Sequence, residues 1–210
     1  MASSLKEANR LALYSVLMTN LAVYFAAVQT NVLFGGQWLG LAKSLPEALP
    51  AGLGLIAAGV FNAQISAGNK ARIVFFRWNH ALPGCRAFSH HAKNDPRIDL
   101  VALGKAFGHF PSEPREQNTL WYRLYKSVED DPSVIQVHRA FLFTRDYTCL
   151  AMLMCIVLGG AGFIQISSQG TALGWLGLLI LQFVVAGQAA RDHGKRFVQT
   201  VLAIKGTEHL

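Results

Sequence analysis

At 210 residues, with 52% hydrophobic and 15% charged positions and a mean hydropathy of +0.30, the chain has the composition of a membrane protein. A formal charge of +7 would point to nucleic acid in a soluble protein, but cytoplasmic loops of membrane proteins are basic for topological reasons. The three cysteines form no CxxC pair, and all three are expected to be reduced.

Residues 1–10 are a short polar lead, with Ser4 and Glu7 at capping-box spacing. The first of four apolar runs, 11–34, follows. The others are 49–69, 147–167 and 171–190, and none contains Asp, Glu, Lys, Arg or His. Each is about 20 residues or longer, enough at 1.5 Å per residue to cross a hydrocarbon core about 30 Å thick. The first run is too long for the apolar region of a signal peptide and is expected to be a retained span.

The loop 35–48 carries Trp38, a candidate interfacial anchor. Pro46 is expected to break any helix there, and Pro50 to open the second span. In the second span Gly59, Ala63, Ala67 and Ala71 recur every four residues, a small-xxx-small ridge that lets another helix approach closely. The same helix is expected to run on to Trp78 and to end at Leu82-Pro83-Gly84.

The segment 70–146 reads as helices joined by loops. Residues 85–93 suit a short helix, and 97–107 a second, started by Asp95-Pro96. Residues 110–114 are a loop, and 116–128 an amphipathic helix with Leu120, Leu124 and Val128 on one face. Asp131-Pro132 is a start signal for one long helix that becomes the third span. Ser168-Gln169-Gly170 is a tight turn into the fourth span. That span continues through basic residues alternating with Phe197, Val198, Val201 and Leu202, with Gly206 as its C′ residue.

Eighteen of the nineteen Lys and Arg fall on one side of this four-span layout, and only Lys43 on the other. The positive-inside rule then puts both termini and the central segment in the cytoplasm of a cell inner membrane. The expected fold is all-α: a polytopic protein with four transmembrane helices and a small helical cytoplasmic domain. Its parts are a cytoplasmic lead (1–10), transmembrane helices 1 and 2 (11–69), the cytoplasmic domain (70–146), a transmembrane hairpin (147–190) and a cytoplasmic amphipathic helix (191–210).

No span contains a histidine, carboxylate or lysine, so axial haem ligation and coupled proton transport are not expected. The span amides Asn20, Asn31, Asn62, Gln64, Gln165, Gln182 and Gln188 are expected to bond between helices. His80, Cys85, His90, His91 and Asp95 are ligand types suited to zinc, but their spacing fits no common site, and no metal or cofactor is expected. Trp121, Tyr122 and Tyr125, interleaved with Arg123 and Lys126, could stack bases but are expected to pack a core.

Arg86-Ala-Phe-Ser-His-His91 resembles the R-x4-H motif of the HEPN ribonuclease family, without that family's usual polar residue after the Arg. The resemblance covers six residues. It implies a membrane-anchored ribonuclease in which Arg86 stabilises phosphate charge and His91 moves protons. The reading placed ahead of it is non-enzymatic: an oligomeric inner-membrane scaffold, sensor or pore-forming effector. In architecture such a chain looks like compact membrane proteins of bacterial stress and anti-phage defence systems. Arg77, Arg86, Lys93 and Arg97 are the expected face for membrane lipid or a cytoplasmic protein partner, with nucleic acid a lesser expectation. Ala186, Ala190 and Gly194 join the Gly59 ridge as expected packing residues of a homo-oligomer. A small channel for uncharged solutes is the remaining alternative.

Overall fold

The computed structural model describes residues 2–29 and 38–208, and every regular element among them is helical. In order these are α1 (Ala2–Val28), α2 (Trp38–Gln64) and α3 (Ala67–Phe75), then a compound turn. The turn is a 3₁₀ segment (Pro83–Arg86), a π segment (Ala87–His91) and a second 3₁₀ segment (Ala92–Asn94). After it come α4 (Leu100–Phe107), α5 (Pro114–Ser127), α6 (Pro132–Gln165) and α7 (Gln169–Thr207). Two compact units result, Met1–Ser66 with Asp146–Ala186, and Ala67–Arg145 with Gly187–Leu210.

Among the described residues three helices are long and apolar enough to cross a membrane: Glu7–Val28 of α1, all of α6, and all of α7. The second of the four expected spans is not among them. Among the described residues the second apolar run contributes a shorter apolar helical stretch, Gly52–Gln64, and its helix ends at Gln64, before Ile65-Ser66. The chain is thus a multi-pass, membrane-associated helical protein. Two further expectations fail in the same region. The second-span helix does not continue to Trp78, because α3 starts afresh at Ala67 and stops at Phe75. Nor does Pro46 break the loop, since α2 is helical from Trp38 through both prolines. Pro46 and Pro50 lie four residues apart, so the hydrogen bonds they remove fall on one face and the other strands of the ladder persist.

The first unit has apolar residues inside and out. Leu17, Tyr24, Leu55, Leu150, Met154, Leu158, Trp175 and Leu179 are buried together. Ile56, Val60, Phe61, Ile164, Leu181 and Val185 are exposed. Water would not tolerate that outer surface, and lipid selects it. Glycines set the closest approaches. A Cβ on Gly54 would lie 2.8 Å from Val157, and one on Gly162 would lie 3.0 Å from the Trp175 ring. The Trp175 indole donates to the Leu158 carbonyl at 3.2 Å, and the Tyr24 hydroxyl to Gln165 at 3.0 Å.

The second unit encloses Phe88, Leu103, Trp121, Leu124, Tyr125, Val134, Phe141, Phe197, Val201 and Leu202. Residues 191–207 are the end of α7, and they supply three of these residues, Phe197, Val201 and Leu202. Asp99, not Asp95, starts the helix before Phe107. Its carboxylate accepts from the Val101 and Ala102 amides at 2.8 and 2.9 Å, and α4 begins at Leu100. Asp95 is engaged elsewhere, by Arg97. Glu113 caps α5 in the same manner, and Asp131 caps α6 as the Asp-Pro signal predicts. Gly206 is not a C′ residue. α7 continues to Thr207, and Gly206 is buried where a Cβ would come 3.6 Å from the Asp99 amide.

Candidate anion-binding elbow

The expected basic cluster falls in the segment between α3 and α4, inside the second unit. α3 ends because Phe76 takes φ 49°, a left-handed conformation uncommon for a bulky residue. Arg191 fixes that end: its guanidinium donates to the Val74 carbonyl at 2.9 Å and lies over the Phe76 ring at 5.6 Å. Gly194, one turn further along α7, is where Phe75 and Phe141 pack, each about 3 Å from the position of a Cβ. His80 also has positive φ, 52°, so residues 76–80 form a doubly bent loop.

The compound turn that follows is held from two sides. Gln117, 1% exposed, accepts through Oε1 from the Phe88 and Ser89 amides (3.2 and 3.1 Å) and donates through Nε2 to the Ser112 carbonyl at 3.1 Å. Gln199 donates to the His91 carbonyl at 3.0 Å. These bonds satisfy backbone groups that irregular helices leave open. Gly84 lets the turn lie on α5, since a Cβ there would stand 2.6 Å from the Trp121 ring.

His91 closes that π segment, and its Nδ1 is buried with no hydrogen-bond partner. Burial first, then the charges of His90, Lys195, Arg77 and Arg86, push its pKa from 6.5 down to about 4. The structure thus brings Arg86 and His91 within electrostatic reach and adds Arg77 and Lys195. Burial and then the Arg86 charge lower the Arg77 pKa. No described carboxylate pairs with Arg77, Arg86 or Lys195. Lys93 is exposed. Arg97 differs from the rest of the expected face: it holds Asp95 through two bonds of 3.0 and 2.7 Å and keeps that carboxyl below its usual range. Lys195 had no sequence signal, because it arrives from α7, 104 positions after His91.

The remaining candidates lie elsewhere. Among the described residues no three His, Cys, Asp or Glu side chains are grouped to hold a metal, and burial raises the pKa of the Cys85 thiol. Trp121 and Tyr125 are buried around Phe197, while Tyr122 is half exposed. Of the helix-packing residues, Ala71, Ala186 and Ala190 are buried within the single chain, and Gly59 sits against Leu17. Ala63 and Ala67 are exposed on either side of the helix break, so the ridge is not one continuous face. Asn20 bonds back to the Val16 carbonyl of its own helix at 2.9 Å, and Gln165 bonds between helices through Tyr24. Asn31 lies outside the described residues. No protein-family model, curated protein or solved structure matches the chain.

Proposed function

We propose that this chain is a non-enzymatic scaffold or sensor of a cell inner membrane, whose second unit presents a basic face to an anionic partner in the cytoplasm. The observation that carries the reading is that the charges of Arg77, Arg86 and Lys195 all act on the buried His91 ring, while none of the three is in a described salt bridge. Like charges held close cost free energy unless an anion joins them. In this reading α2 completes a fourth crossing, supported by its 27-residue length and by the eighteen-to-one distribution of Lys and Arg. Assembly into a homo-oligomer through the exposed Ala63 and Ala67 belongs to the same proposal.

The ribonuclease reading gains the proximity of Arg86 to His91. It loses the chemistry, because a ring with a pKa of about 4 is neutral and a weak base at pH 7. The test is binding of the full chain, in nanodiscs, to a polyglutamate peptide across a salt series. The Arg77→Gln/Arg86→Gln/Lys93→Gln variant is expected to lose about tenfold affinity at low salt, with the difference shrinking as salt rises. Equal binding by variant and wild type at every salt concentration overturns the proposal. Cleavage of labelled RNA that Arg86→Ala abolishes would replace it with the ribonuclease.

A further inference from the structure

We infer that the loop 76–82 is an interfacial anchor, whose Phe76, Trp78 and Leu82 insert into the lipid headgroup layer at the level where α7 leaves the bilayer. The partner is the membrane surface itself. The inference requires that α7 cross the membrane, and it stands apart from the cytoplasmic anionic partner proposed above.

The level of the loop follows from contacts within the second unit. The uncharged run of α7 ends at Ala190, so Arg191 is the first charge that this helix carries out of the hydrocarbon. An arginine at such a boundary extends its guanidinium to the headgroups while its stem stays in apolar surroundings. That guanidinium donates to the Val74 carbonyl at 2.9 Å and lies 5.6 Å from the centre of the Phe76 ring. α6 marks the same level. Its uncharged run begins at residue 147, directly after Arg145 and Asp146, and Arg145 lies over the Phe141 ring at 5.8 Å. Phe141 and Phe75 both pack where Gly194 lacks a side chain. Gly194 is three residues beyond Arg191, about 4.5 Å along the helix axis. Each headgroup layer is about 5–8 Å thick, so the end of α3 and the start of the loop fall within it.

The chemistry of the loop suits that level. Among the described residues the second unit exposes five large hydrophobic side chains, and three of them, Phe76 (70%), Trp78 (83%) and Leu82 (37%), lie in these seven positions. Positive φ at Phe76 and at His80 bends the chain on either side of Trp78. Aromatic rings beside basic groups are what the interfacial layer favours, Trp above all. Residues 67–94 carry Lys70, Arg72, Arg77, Arg86 and Lys93 and no Asp or Glu, so no carboxylate within the segment repels lipid phosphates. The same charges weigh against a second copy as the occupant, because like charges would meet across such a contact.

The experiment uses the full chain in phosphatidylcholine vesicles. Trp78 fluorescence is read as the difference between wild type and Trp78→Phe, a change at an exposed position that does not threaten folding. Bromine on a lipid chain quenches an indole that it touches. Lipid brominated next to the glycerol is expected to remove most of the Trp78 signal, and lipid brominated at the chain ends much less of it. Acrylamide, acting from the water phase, is expected to quench weakly. Phe76→Ser/Leu82→Ser should make Trp78 less sensitive to the brominated lipid and more sensitive to acrylamide, with an unchanged unfolding midpoint as the control for folding. Quenching by acrylamide alone overturns the inference, since the loop then faces water. Equal quenching from both bromine depths puts Trp78 in the hydrocarbon and overturns the interfacial level. Protection from both quenchers means that protein covers the loop, and overturns the lipid as its partner.

Discussion

His91 couples the elbow to pH with a definite sign. Its folded pKa, about 4, lies below the unfolded value of 6.5, so the unfolded chain binds the proton more readily between those limits. Its neutral, buried form is fully compatible with folding above pH 6.5, and stability is lost as pH falls from 6.5 toward 4. The groups facing it are His90, Arg77, Arg86 and Lys195, all of which oppose a second positive charge. Thermal unfolding of the full chain in nanodiscs should therefore show a falling midpoint across that window, and His91→Gln should flatten the slope. An unchanged slope in the variant would show that other groups control acid sensitivity. Gln117 provides a second residue-scale test. Gln117→Leu keeps the volume but abandons the Phe88 and Ser89 amides, and should destabilise the chain by about 1–3 kcal/mol. A loss below about 0.5 kcal/mol in denaturant unfolding would mean that those amides find water.

At the scale of elements, close approaches between helices depend both on Gly194, at helical spacing with Ala186 and Ala190, and on Gly54, which lies off the Gly59 ridge. The four-residue ridge on the second run is divided by the break at residues 65–66, and Ala63 faces outward. Contacts that a side chain would obstruct include Gly54 on Val157 and Gly194 on Phe75 and Phe141. Gly54→Leu and Gly194→Leu are each expected to cost about 1–3 kcal/mol by overpacking. Ala63→Leu should leave the stability of the single chain unchanged and alter only the mass of an assembly. A stability loss at Ala63 equal to that at Gly54 would contradict this arrangement. The two kinds of site look alike in sequence because a small residue at helical spacing marks a possible approach without naming its partner.

For the whole molecule, membrane topology is the decisive open measurement. Among the described residues three helices meet the length and apolarity needed to span, and α2 has the length. Reporter fusions after Arg10, Lys43, Ser112 and Leu210 should read cytoplasm, outside, cytoplasm, cytoplasm if α2 crosses. Outside readings at both Ser112 and Leu210 would reduce the crossings to three, with α2 failing to cross. The charge distribution also predicts which unit feels salt. Binding at the elbow should weaken with ionic strength, whereas the first unit, with apolar residues on both surfaces, should keep its stability.

Helical class, membrane residence and the start of α6 at Asp131-Pro132 were legible in the sequence. They depend on local quantities: the length of uncharged runs, the hydropathy of a window, and a side chain that caps amides two and three residues ahead. The basic elbow was half legible. Arg77, Arg86 and His91 are close in sequence, and their chemistry was evident from residue type. The pairing of Arg97 with Asp95, the arrival of Lys195 from α7, and the burial of Nδ1 required the chain to fold, because each depends on groups brought near by tertiary packing. The same holds for the caps and glycines that were misassigned. Asp95 and Asp99 are equivalent as capping residues until Arg97 claims one of them. Gly206 is a helix terminator by sequence until the fold carries α7 on to Thr207 and buries Gly206 beside Asp99 and Leu103.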